Sequence, residues 1–168
     1  MAARTVGRYV LQGINYAVFM ALVGYFSVAP DYRRMADDAA VITVAFGHTT
    51  ERVSECVELT AAELETLAPN MRAALDCPRE RSPLSLEVLL DGDTVADMKL
   101  KAPGLYDDQG VDVYRDVVTV AGSHRLTVLM NDDVNADGPT YVLDTSVNLE
   151  PQRRAVVSFE PGRGFTVR

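Results

Sequence analysis

Residues 84–101 read LSLEVLLDGDTVADMKLK, and the alternation in this stretch decides the fold class. Leu84, Leu86, Val88 and Leu90 occupy every second position. Successive side chains of a strand point to opposite faces, so these four line one apolar face. Asp91 and Gly92 follow, a pair that accepts the positive φ of a two-residue hairpin turn. Thr94–Lys101 supplies the return strand, and an antiparallel hairpin is expected.

The same period runs outward on both sides. Val113–Val120 and Arg125–Met130 flank Ala121-Gly122-Ser123-His124, which suggests a second hairpin. Tyr141–Leu149 and Arg154–Glu160 flank Glu150-Pro151-Gln152-Arg153, which suggests a third. Gly164–Val167 could add an edge strand. Upstream, Ala40–Phe46 is β-branched and apolar and reads as a strand. Seven or eight short strands with regular turns over residues 40–168 fit a mainly β domain, an antiparallel β-sandwich. The pattern V-x-V-A-G-x-H-x-L-x-V from Val118 to Val128 resembles hairpins in immunoglobulin-like and PEGA-like envelope modules. That resemblance implies an immunoglobulin-like fold class and no activity.

Residues 47–83 break the period and read as a loop-rich insertion. Thr60 and Glu63 have the spacing of a capping box, with Leu59 and Leu64 placed as a hydrophobic staple. A short helix is expected from Ala61 to about Leu67, stopped by Pro69. Cys56 and Cys77, the only cysteines, bracket it. In an oxidising compartment the pair reads as a disulfide, closing a loop worth roughly 3 kcal/mol in the chain-entropy model. Free thiols are one alternative. A zinc site with His48 and His124 is another; it has the right ligand count but no short paired spacing. The polar runs Gly47–Arg52 and Asn70–Arg81, the second stiffened by Pro69, Pro78 and Pro83, fit either a docking surface or a decorated loop covering a sheet edge.

Between Arg8 and Asp31 no residue is charged. Residues 9–30 are long enough to cross a hydrocarbon core of ~30 Å as one helix. Tyr9 and Tyr25 sit near the ends, where interfacial aromatics belong, and Pro30 ends the run. Residues 1–8 then form a short N-terminal segment and residues 31–39 a linker. Arg4, Arg8 and the α-amino group precede the span without acids; Arg33 and Arg34 follow it among Asp31, Asp37 and Asp38. The balance favours a cytoplasmic N-terminus and an extracytoplasmic domain. A cleaved signal peptide is the rival, since Ser27-Val28-Ala29 has the small-x-small form of a cleavage site. Pro30 just after the cut, and the length of the apolar run, argue against it. Gly13, Ala17, Ala21 and Gly24 make a small-residue strip on which another helix can pack closely, and Gln12 and Asn15 add groups that prefer protein to lipid.

All 24 acidic residues lie beyond Pro30, whereas only Arg4 and Arg8 of the 16 basic residues precede it. The chain from Asp31 onward is therefore at −10, a poor match for nucleic acid. Asp133-Val134-Asn135-Ala136-Asp137-Gly138, with Asp144 in the twelfth position, resembles the calcium loop of EF-hands and more closely the dockerin variant. The resemblance implies oxygen ligands from Asp133, Asn135, Asp137, the Pro139 carbonyl and Asp144. The flanking segments read as strands, however, and a polar hairpin turn explains the same residues. No G-x-S-x-G or glycine-rich phosphate loop is present, and no catalytic constellation is visible.

The resulting expectation is a non-catalytic accessory or assembly subunit of a larger bacterial inner-membrane complex, without a required cofactor. Its helix would pack on the helices of integral membrane subunits, and its β domain would cover the periplasmic face. Electron-transport and transport complexes both carry such subunits. The alternative is a membrane-tethered periplasmic binding module, with calcium as a candidate ligand.

Overall fold

The computed structural model describes residues 2–29 and 35–168. Two units separate, Met1–Ala36 and Asp37–Arg168. In the first, helix α1 runs from Ala2 to Val28. Its segment Thr5–Val28, 24 residues, is long and apolar enough to cross a membrane. At 1.5 Å per residue that is ~36 Å of helix. Every residue from Thr5 to Val28 is exposed, and beyond Arg8 none of them is charged, as suits a helix whose solvent is lipid. Pro30, Asp31, Arg33 and Arg34, on which the helix stop and the orientation rest, lie outside the described residues.

The second unit holds β1 (Ala39–His48), β2 (Val57–Glu58), α2 (Ala61–Thr66), a 3-10 turn (Pro69–Met71), β3 (Leu75–Asp76), β4 (Leu84–Leu90), β5 (Asp93–Leu100), β6 (Val111–Val120), β7 (Gly122–Asn131), β8 (Tyr141–Leu149), β9 (Arg154–Glu160) and β10 (Gly164–Val167). One four-stranded sheet has the order β10-β9-β1-β6 and another β5-β4-β7-β8, while β2 and β3 form a small ribbon. Both four-stranded sheets feed one core. Ile42, Val44, Val113 and Val157 enter it from the first, and Leu84, Leu86, Val88, Leu126, Val128 and Met130 from the second.

The β4–β5 hairpin forms as the alternation requires. Leu84, Leu86, Val88 and Leu90 are buried while the residues between them are partly exposed. Asp91 and Gly92 both take positive φ, 54° and 95°. β10 forms at its expected residues, paired antiparallel with β9 at the sheet edge.

Two expected hairpins do not form. β6 pairs with β1, whereas β7 pairs with β4 and β8. The Ala121-Gly122 corner therefore carries the chain from one sheet to the other. β8 pairs with β7, and β9 with β1 and β10, so Glu150–Arg153 is a second crossing. Alternation tells which face of a strand is buried, and it is silent on which strand lies alongside. The β1–β9 pairing is parallel, so the domain is a mixed β-sheet fold rather than a purely antiparallel one.

Candidate functional site

The insertion leaves the sheets at the end of β1 and returns just before β4, and polar residues gather at its root. His48, Thr50, Ser82 and Asp132 are four of the five buried polar or charged residues among those described. His48 Nε2 lies 2.6 Å from Asp132 Oδ2 with both side chains about 5% exposed. Thr140 donates its hydroxyl to the other carboxylate oxygen at 2.7 Å. The His48 ring packs edge-on against Phe159, centroids 4.9 Å apart. Its Nδ1 is buried without a hydrogen-bond partner. Thr50 donates its hydroxyl to the Ser82 carbonyl at 2.7 Å, the Glu51 N–H donates to the Asp132 carbonyl at 3.0 Å, and the Val134 N–H donates to Ser82 Oγ at 3.1 Å. Arg81 donates Nη1–H to the Thr50 carbonyl at 2.7 Å. Both legs of the insertion are thus clamped to the loop between β7 and β8. Backbone groups that cannot join a ladder find partners there instead of being buried unpaired.

Beyond the root, the insertion buries almost nothing. α2 and the 3-10 turn contain no buried residue, and β2 and β3 are exposed throughout. Local chemistry holds it. The capping box of Thr60 and Glu63 is present in both directions, and the Thr60 N–H and hydroxyl hold the Glu63 carboxyl below its ordinary pKa. Cys56 and Cys77 form a disulfide across the ribbon, as their bracketing positions led us to expect. Arg79 pairs with Asp108, and its guanidinium lies 4.5 Å from the centre of the Tyr106 ring. On this scaffold Val57, Met71 and Leu75 stand 64%, 65% and 50% exposed. An open groove at its root is lined by Arg52, Cys56, Arg81, Asp133 and Asn135, among others.

The calcium-like segment sits at this junction, and Asp133 and Asn135 bond within the protein. Asp133 Oδ1 accepts the backbone and side-chain N–H of Asn135 at 2.9 and 3.1 Å. Asn135 also donates to the Val53 carbonyl at 3.1 Å, tying the loop to the insertion. Asn131 Nδ2 donates to the carbonyls of Ala136 and Gly138, so these oxygens face an amide. Asp137 and Gly138 complete the turn, and Pro139 lines a shallow recess against β4 and β7. Asp144 is not with the others. It sits three residues into β8, roughly 10 Å along the strand from its first residue. There Arg125 donates to both its oxygens, at 2.8 and 2.5 Å, which lowers the Asp144 pKa and raises that of Arg125. Among the described residues no three His, Cys, Asp or Glu side chains are grouped to hold a metal.

The two histidines are likewise apart in their partners. His124 Nδ1 lies 2.6 Å from Asp91 Oδ2 and its Nε2 2.9 Å from the Val120 carbonyl. The Asp91 contact raises the His124 pKa, the Val120 carbonyl adding to it. Sequence reasoning missed Asp132, Thr140 and Ser82. Each sits in a loop among other polar residues, and only the tertiary contacts show Asp132 and Ser82 buried and Thr140 bonded to the Asp132 carboxylate.

On α1, Gly13, Ala17, Ala21 and Gly24 share a face, and a methyl group added at Gly13 or Gly24 would meet nothing within 4 Å. Gln12 and Asn15 fall elsewhere. At 100° per residue they lie roughly 135° and 165° around the helix from the centre of the small strip. Asn15 donates one amide N–H to the Leu11 carbonyl at 3.0 Å. The helix therefore offers two different faces. Comparison with known protein families, with characterised proteins and with solved structures finds no match to this chain.

Proposed function

We propose that this chain is a non-catalytic accessory subunit of a larger bacterial inner-membrane complex. Its N-terminus lies in the cytoplasm and its β domain, an immunoglobulin-like sandwich, in the periplasm. One observation carries the reading: some 27 residues between Ser54 and Glu80 are ordered by a disulfide, a ribbon and a capped helix, yet contain no buried residue. Such a segment adds nothing to the domain's own core. Ordering it beforehand lowers the entropic cost of meeting a partner, and Val57, Met71 and Leu75 supply apolar contact area. The disulfide supports an oxidising compartment. The strip on α1 supports packing on a partner helix, and the Gln12–Asn15 face a hydrogen-bonded contact with a second one.

A photo-cross-linking residue at Met71 or Leu75, in cells, tests this reading. The expected outcome is a discrete adduct with another membrane protein, absent when the probe is at Asp97 on β5. No adduct from either insertion position would count against it. A tethered binding module is the second reading, favoured by the open groove beside Arg52 and Arg81.

A further inference from the structure

The disulfide does not sit in a neutral setting. Arg52 donates Nη1–H to Cys56 Sγ at 3.0 Å. Each cysteine has one acidic neighbour in sequence, Glu55 and Asp76. Arg79, two residues beyond Cys77, is already paired with Asp108 and laid over Tyr106. The Arg52 guanidinium is the charged group in hydrogen-bond contact with the bond, and it touches Cys56. Both cysteines are half-buried, neither sealed in the core nor fully bare.

We infer that Cys56–Cys77 is an exchange-active disulfide in which Cys77 Sγ is attacked and Cys56 leaves as the thiolate. The co-reactant is a dithiol. One of its thiolates attacks Cys77 Sγ, and a new S–S bond forms between them. The Cys56–Cys77 bond breaks, and its electron pair goes to Cys56 Sγ beside the Arg52 N–H. The second thiolate of the dithiol then attacks the sulfur bound to Cys77. That step releases Cys77 as a thiolate and leaves the dithiol oxidised and the cysteine pair reduced. Direction follows from where charge develops. The attacking and leaving sulfurs carry most of it, so a cation on Cys56 helps most when Cys56 is the leaving one. Reduction has a structural consequence, because nothing buried holds residues 54–80 in place. This inference concerns the bond's chemistry and stands whether or not the insertion docks on a partner.

Reduced glutathione, a monothiol that stops at the first step, is the probe. Full-length oxidised protein in detergent is treated with it, quenched in acid, alkylated with N-ethylmaleimide and digested with trypsin. Cleavage after Arg72 separates the two cysteines. Glutathione is expected on Cys77 and maleimide on Cys56, with a preference of about fivefold or more, and Arg52→Gln should bring the ratio close to one while Arg52→Lys keeps part of it. Since Arg52 is exposed, the preference in the unmodified protein should also shrink between about 0.01 M and about 1 M salt, as the screening length falls from ~30 to ~3 Å. That arm needs no variant to fold. Glutathione mainly on Cys56, a ratio indifferent to both Arg52 and salt, or no mixed disulfide at all would overturn the inference.

Discussion

Asp132 is the residue on which the root of the insertion turns. It accepts from Thr140, faces the His48 ring, and offers its carbonyl to Glu51. Asp132→Ala would leave a buried imidazole nitrogen unpaired on a ring whose other nitrogen already has no partner. A loss of about 2–3 kcal/mol in urea unfolding is expected. A smaller residue pair sets a pH dependence. Asp91 has its pKa lowered by the Arg125 N–H and then by His124, and His124 has its pKa raised mainly by Asp91. The histidine's contribution is full below its unfolded pKa and fades as pH rises through the folded one. The carboxylate's is present above its unfolded pKa and fades as pH falls through its folded one. The pair therefore holds best between the carboxylate and imidazole ranges. His124→Ala should destabilise the domain more at about pH 5.5 than at about pH 8.5, measured by unfolding at each.

Among the elements, legibility followed the range of the interaction that fixes each one. The β4–β5 hairpin is local: alternation on both sides and an Asp91-Gly92 turn bring its strands together within eighteen residues, with one register shift between Val88 and Leu89. The α2 cap is more local still, closed by Thr60 and Glu63 three residues apart. The partners of β6, β7, β8 and β9 are not local. Short turns at Ala121-Gly122 and at Glu150–Arg153 look the same whether the chain folds back or steps to the opposite sheet. The root cluster was illegible for the same reason, since it draws on residues near 50, 82, 132 and 140. The insertion gives an element-scale expectation. Cys56→Ala with Cys77→Ala should speed tryptic cleavage after Arg72, an exposed residue of the ordered arm, while the global unfolding midpoint of the β domain moves little, because residues 54–80 share no core with it. The β7–β8 loop gives another. Calorimetric titration with calcium should show no saturable binding, because Asp133 already accepts from Asn135 and Asp144 is held by Arg125. A one-site isotherm lost in Asp133→Ala would reverse that expectation.

The whole molecule couples an acid-free helix to an acidic domain, and each half lacks something. The helix presents a small-residue strip and a separate polar pair, neither of which lipid satisfies well. The β domain carries an ordered arm that covers none of its own core. Both gaps close if other membrane subunits surround the chain. Purification in mild detergent through a tag after Arg168, followed by native mass spectrometry, tests that arrangement most directly. The expected particle contains integral membrane chains accompanying this one in fixed ratio, and Ala17→Leu with Ala21→Leu should release them. A monodisperse particle containing only the 18.3 kDa chain would contradict it.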